Sequence, residues 1–223
     1  MSDKTPQPEK NKLLIQCDFD GTATNEDISF MILDAFATGD WRHMLTQYQK
    51  GEISVGCFNT RAFIMVKENE ASLKQFVRNK FELRDGFVEL VEYCRKRGIR
   101  FVVVSNGMEF YIRTILETIG LSDVEVIAAK SDFGDDGIEA RYLGPDDKEI
   151  QNGFKEEYSR QFIKDGYRIV YIGNGASDVP PSRLACHVFA TGDMLNVYKA
   201  KGLDCTPFDN FSEVIKGLER IEE

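Results

Sequence analysis

The order of apolar and polar positions divides this chain into two kinds of segment. Short apolar runs closed by polar residues or glycine read as buried strands, and apolar positions recurring at three- and four-residue steps read as helices. The first run, Leu13–Leu14–Ile15–Gln16–Cys17, ends in Asp18–Phe19–Asp20–Gly21–Thr22. Helical spacing follows. Thr24–Asn25–Glu26–Asp27 fits a capping box with Thr24 as N-cap, ahead of Ile28, Met31, Ile32 and Phe36. Trp41, Met44, Leu45 and Tyr48 predict a second helix, and Ser54 caps a third carrying Val55, Phe58, Ala62 and Met65. Ser72 opens a fourth through Phe76 and Val77.

From Arg84 the pattern alternates between strand and helix, the mark of a parallel α/β sheet. Asp85 caps a helix through Phe87, Leu90, Val91 and Cys94 that Gly98 closes, and Phe101–Val104 is a strand ending in Ser105–Asn106–Gly107. A helix from about Glu109 to Ile119 and a strand over Val124–Ala128 come next. Residues 131–152, rich in Gly and Asp, read as a hairpin or ordered loop. A helix begins near Lys155, and Arg168–Ile172 is a strand ending in Gly173–Asn174–Gly175–Ala176–Ser177–Asp178. A short strand over Val188–Ala190 and a helix from Phe211 to Ile221 close the chain. The expected fold is α/β, a Rossmann-like parallel sheet interrupted after its first strand. Residues 1–11 form a flexible tail, 12–24 and 84–223 the core, and 25–83 a helical insert.

Composition narrows the classes. With 223 residues, 42% hydrophobic and 29% charged, the chain reads as a soluble globular protein with one sizeable core. Its net charge of −9 argues against nucleic acid or an anionic membrane as the partner. A small phosphorylated metabolite remains compatible, because a metal and a few local cations can reverse the field within one pocket. No apolar run approaches the ~20 residues needed to span a bilayer. The polar first ten residues do not read as a signal peptide. Cys17, Cys57, Cys94, Cys186 and Cys205 are scattered without metal-ligand spacing, as expected of reduced thiols in the cytoplasm. Nothing in the sequence sets an oligomeric state.

The candidate chemistry lies where apolar runs end. In an extended chain Asp18 and Asp20 share a face while Phe19 points into the core. At the carboxyl end of a parallel strand, paired acids can hold a hard cation and divide labour as nucleophile and proton donor. On spacing alone, two solvated acids at a strand end are the plainer explanation; three later polar clusters shift the balance. Ser105 suits hydrogen bonding to a phosphate oxygen, or N-capping of the next helix. Lys155, rather than Lys148 in the acidic loop, suits phosphate binding, although most lysines are solvated surface charges. His43 and His187 form no site, and Cys17 faces away from Asp18.

Asp18–Phe19–Asp20–Gly21–Thr22 resembles the first motif of the haloacid dehalogenase superfamily, whose members are mostly phosphatases. Ser105–Asn106–Gly107, Lys155 and Gly173–Asp178 resemble its later motifs, over essentially residues 12–220. The resemblance implies Asp18 as nucleophile and Asp20 as general acid and base. It places Thr22, Ser105, Asn106 and Lys155 on the phosphate and Mg²⁺ on Asp18, Asp20 and the fourth motif. That motif departs from the family, because Asn174 stands where aspartate is usual; the expectation is either a weaker metal site or compensation by Asp178, or by Ser177 through a bridging water. The insert sits where the phosphoserine phosphatase-like branch carries a helical cap. Asp27 and Arg61 would then serve a substrate amino group and carboxylate, while the fourth motif looks as much like the methionine-salvage phosphatase acting on a methylthio-ketopentenyl phosphate. Phe30, Met31, Trp41, Met44, Phe58 and Phe63 would suit a thioether there, or form the cap's own core. The implied activity is Mg²⁺-dependent hydrolysis of a phosphate monoester through an aspartyl-phosphate. Asn174 leaves a second expectation, a weakly active or purely binding relative.

Overall fold

Strand β1, Lys12–Cys17, is the axis of the molecule, with Leu14, Ile15, Gln16 and Cys17 all fully buried. A strand covered on both faces reads as a continuous run rather than an alternating one, which is the pattern found in the sequence. The computed structural model describes residues 12–222, so the tail expected over 1–11 lies outside the described residues. β1 pairs in parallel with β2, Arg100–Met108, on one side and with β5, Tyr167–Gly173, on the other. β3 (Glu125–Gly134) joins β2 in parallel and β4 (Gly137–Arg141) joins β3 antiparallel. β6 (His187–Ala190) and β7 (Thr206–Pro207) extend the other side in parallel. The sheet order is β4-β3-β2-β1-β5-β6-β7. The chain leaves β1 in one direction and returns on its far side, so the carboxyl ends of β1, β2 and β5 border a topological switch point, where open α/β sheets hold ligands.

Four helices separate β1 from the rest: α1 (Ile28–Phe36), α2 (Trp41–Gln49), α3 (Val55–Phe63) and α4 (Glu70–Lys80). Their way in and out is stitched by a bridge between Thr24 and Leu83 and by backbone bonds from Asn25 to Glu82 and from Arg84 to Ala23. α5 (Phe87–Arg97), α6 (Glu109–Thr118) and α7 (Phe154–Lys164) then alternate with the strands. Phe19 is fully buried and meets Phe87 edge-on at 6.5 Å, so the expected alternation holds, with its two flanking aspartates on the opposite side.

Several local expectations change. Thr24 does not cap α1: its hydroxyl is engaged with the Gly21 amide and the Glu26 carbonyl, and Asp27 is the N-cap, accepting from Phe30 N at 2.9 Å. Asn69, not Ser72, caps α4, because its Oδ1 accepts the Ser72 amide at 3.0 Å. Gly86, in a left-handed conformation, precedes α5 instead of an Asp85 side-chain cap. Residues 131–152 contain the β3–β4 hairpin followed by an ordered loop. Two helices carry no clear periodic signal. α8 (Val179–Ser182) begins at a double proline, tolerated in a first turn, and α9 (Gly192–Lys201) buries only Met194 and Tyr198.

Candidate active site

A cavity of about 1010 Å³ opens over the carboxyl ends of β1, β2 and β5, roofed by α1–α3. Asp18, Asp20, Ser105, Asn106, Lys155 and Asn174 all line it. Residues scattered over more than 150 positions thus meet because three parallel strands end side by side.

Asp18 is almost fully buried, and its Oδ1 lies 2.6 Å from Lys155 Nζ. Lys155 enters from the first turn of α7, whose preceding Gly153 has a positive φ of 72°. Gln16 anchors that turn to β1: its amide donates to the Lys155 carbonyl at 3.2 Å and its carbonyl accepts from Ser159 at 2.8 Å. The same ammonium donates to Asp178 Oδ1 at 2.7 Å. Burial alone would depress the lysine, but two carboxylates outweigh it and hold it charged above its ordinary range. Burial and the neighbouring Asp178 charge push Asp18 up to about 7, against the pull of Lys155.

Asp178 is fully buried and stands outside the cavity lining. Its Oδ1 accepts from Lys155 and from Tyr171 at 2.6 Å; its Oδ2 accepts the amides of Asn174 and Gly175 at 3.1 and 2.9 Å. All four acceptor directions of the carboxylate are engaged, and burial's upward pull on its pKa is overridden, leaving it lowered. A metal ion would have to displace one of these donors. In this arrangement Asp178 holds the lysine and the loop after β5.

Thr22 likewise works from behind the site. It is fully buried, outside the cavity lining, and its hydroxyl reaches Asn174 Oδ1 at 2.9 Å and Asp18 Oδ2 at 3.3 Å. It sets these two oxygens side by side. Gly21 makes room for the pair: its φ is +71°, and a Cβ there would collide with the Asn174 amide.

Asp20 is held from two sides. Its Oδ1 accepts the Ile28 amide at 3.0 Å and its Oδ2 accepts the Tyr111 hydroxyl at 2.5 Å, with Ser105 Oγ at 3.5 Å. Burial and the Asp27 charge raise Asp20 to about 7, while the Tyr111 and Ile28 donors oppose them. Ser105 and Asn106 lie inside the last part of strand β2, and Ser105 Oγ also accepts the Gly107 amide at 3.0 Å. The Asn106 carbonyl is bound by Asn59 of α3 at 2.8 Å and by Tyr142, which fastens the roof to the sheet. Tyr48 of α2 and Ser177 of the loop after β5 line the same cavity.

Gln16, Tyr111, Tyr171 and Asn59 were not singled out by sequence. Gln16 carried a usable signal, a polar residue inside a buried run. Tyr111 and Tyr171 read as ordinary apolar positions of a helix and a strand. Arg61 is exposed and outside the lining, so it does not face this cavity. Among the described residues no three His, Cys, Asp or Glu side chains converge as a metal cage. The oxygens of Asp18 and Asn174 brought together by Thr22 nevertheless form a hard-oxygen set fit for Mg²⁺, which needs only one or two carboxylates and takes its remaining ligands from water and phosphate.

The comparisons with known proteins follow the same outline. The 2-hydroxy-3-keto-5-methylthiopentenyl-1-phosphate phosphatase of Geobacillus kaustophilus is 32% identical over 217 residues, covering 95% of this chain and 97% of that protein. The phosphatase of the same name from Brevibacillus brevis is 28% identical, covering 95% and 97%. Among solved structures, a substrate-bound phosphoserine phosphatase complex matches with a TM-score of 0.70 at 19% identity, over 93% of this chain and 99% of that one. A phospho-aspartyl intermediate analogue of phosphoserine phosphatase gives 0.69 at 19% identity, over 93% and 99%; at these identities the likeness shows a shared fold. The model of the haloacid dehalogenase-like hydrolases matches residues 15–183, a span that contains every residue from Gln16 to Asp178 in the cluster just described. The chain belongs to the haloacid dehalogenase-like hydrolase family.

Proposed function

We propose that this protein is a phosphatase for a small phosphate monoester, with 25–83 acting as its cap. The observation that carries the reading is the buried Asp18 carboxylate held at 2.6 Å by Lys155 while Asp20 faces the same cavity. Asp18 attacks phosphorus, the bond to the leaving oxygen breaks, and Asp20 gives that oxygen its proton. Asp20, now a carboxylate, takes a proton from water, which attacks the aspartyl-phosphate and frees Asp18 and phosphate. Lys155 offsets the charge between Asp18 and the incoming phosphate, and Ser105 and Asn106 line the phosphoryl pocket. Asp18, the Asp20 carbonyl and Asn174 would hold Mg²⁺, which when bound supplies positive charge against the phosphoryl oxygens.

The walls favour a leaving group that is uncharged and apolar. Phe30, Leu45, Tyr48, Val55 and Phe58 supply the roof. Among the described lining residues the cations are Arg84 and Lys155. Arg84 donates to the carbonyls of Gly21, Thr22 and Asp209, and Lys155 is spent on two carboxylates. Among the described lining residues no cation is left for a substrate carboxylate, so a methylthio-ketopentenyl phosphate fits better than phosphoserine, as the names of the curated relatives also suggest. Trp41, Met44 and Phe63 are buried among the cap's own residues. Free thiols at all five cysteines support a cytoplasmic setting.

The test is phosphate release from a panel containing a methylthio-ketopentenyl phosphate, phosphoserine, phosphocholine, a sugar phosphate and an aryl phosphate, with Mg²⁺ and with EDTA, beside Asp18→Asn. Release that needs both Mg²⁺ and Asp18 is expected. Silence across the panel with retained phosphate binding would favour the binding-only alternative that Asn174 motivates.

A further inference from the structure

Tyr111 lies in the first turn of α6, fully buried, in the interior behind the cavity. Its hydroxyl sits between two groups from distant parts of the chain. It is 2.8 Å from Ser29 Oγ on α1 and 2.5 Å from Asp20 Oδ2. An ionised carboxylate has no proton to give, so against Asp20 in that state the phenol is the donor. The Ile28 amide holds the other oxygen at 3.0 Å, and the carboxyl is thereby fixed in rotation.

The neighbouring backbone is shaped for this contact. A Cβ on Gly107 would collide with both the Tyr111 hydroxyl and the Asp20 carboxyl, so glycine at the end of β2 is what lets the two meet. A buried phenol that only filled space would need neither the hydroxyl nor the gap. Here the hydroxyl has two partners, and one is the proposed proton donor.

We propose that Tyr111 is a positioning residue for proton transfer: its hydroxyl, oriented by Ser29, aims the Asp20 carboxyl and stabilises the carboxylate left when Asp20 protonates the leaving oxygen. This rests on the phosphatase reading. As the ester P–O bond breaks and the Asp18–phosphorus bond forms, the Asp20 proton moves to the leaving oxygen and negative charge appears on Asp20. Donors already aimed at that charge lower the barrier without reorganising.

The test is Tyr111→Phe in the full chain, with kcat/KM measured on two substrates. One is an alkyl phosphate, whose leaving alkoxide needs the proton, and the other is 2,4-dinitrophenyl phosphate, whose leaving group does not. The parameter kcat/KM reports the step that phosphorylates Asp18, so later hydrolysis does not mask the difference. The alkyl substrate should lose roughly tenfold or more, a part of what general acid catalysis supplies, while the dinitrophenyl ester changes by less than about twofold. Ser29→Ala should give a smaller loss with the same selectivity, and it serves if Tyr111→Phe folds poorly. Equal losses on both substrates, or none on either, overturn the inference. Failure of the unaltered protein to release phosphate from either ester would instead sink the phosphatase reading.

Discussion

Lys155 Nζ and Asp178 Oδ1 lie 2.7 Å apart in a pocket where neither side chain is more than 3% exposed, and the same ammonium reaches Asp18 at 2.6 Å. One cation between two carboxylates leaves the trio one negative charge in excess. The excess falls on Asp18, because Tyr171 and two backbone amides already satisfy Asp178. The pair thus separates two chemically identical side chains into one enclosed by donors and one that lines the cavity.

Removing the cation should be costly. Lys155→Met leaves two buried carboxylates facing each other, and breaking such a buried pair costs about 3–5 kcal/mol. Denaturant unfolding in EDTA measures it. The double variant Lys155→Met with Asp178→Asn should recover part of that stability and none of the activity. A single variant as stable as the parent would show that the charges are screened.

The raised carboxyls set the sign of a pH effect. Asp18 and Asp20 are lifted from 3.8 to about 7, chiefly by burial. Between pH 3.8 and about 7 the folded chain therefore keeps protons that the unfolded chain has lost. Stability contributed by these groups is full below that window and declines as pH rises through it. Asp178 has the opposite sign, with its contribution lost only on acidification. In EDTA, Asp18→Asn should flatten the decline and raise the melting temperature at pH 8 while abolishing phosphate release. Parallel pH profiles for the two proteins would refute this.

Metal dependence should respond to Asn174. An amide oxygen brings one negative charge fewer than the usual aspartate, and Asp178 is already engaged. Asn174→Asp is expected to lower the Mg²⁺ concentration for half-maximal activity. Thr22→Val, which removes the hydroxyl aligning Asn174 Oδ1 and Asp18 Oδ2, should raise it. An unchanged Mg²⁺ dependence in both variants would mean that the ion is held elsewhere.

The roof should set selectivity. Phe30 and Phe58 meet edge-on at 6.3 Å, and both line the cavity. Covering an apolar leaving group with one such ring is worth about 1.5–3 kcal/mol. Phe30→Ala should therefore lower kcat/KM for an apolar phosphate roughly tenfold or more while leaving glycerol phosphate little changed. Equal losses on both substrates would assign Phe30 to the cap's own packing.

The chain's linear order already determined the alternation of strands and helices, the helical insert after β1, and the placement of Asp18, Asp20, Ser105 and Lys155 at strand or helix ends. These are local properties: side-chain period, run length and glycine breaks act over a few residues, so they can be read without knowing the neighbours. What only the tertiary structure decided is which polar group meets which. Asp178 and Asn174 stand four residues apart in one motif, yet one is wrapped in donors and the other turned to the cavity. Thr22 proved to align oxygens from behind, and Asp27 displaced Thr24 as a cap because the Thr24 hydroxyl was already taken. Tyr111 looked like one more apolar position of a helix until folding set its hydroxyl against Asp20. The contacts that assemble Thr22 with Asn174, Lys155 with Asp18 and Tyr111 with Asp20 join residues 152, 137 and 91 positions apart. The energies of these and of the local bonds are decided by burial, which the sheet creates only once its strands lie side by side.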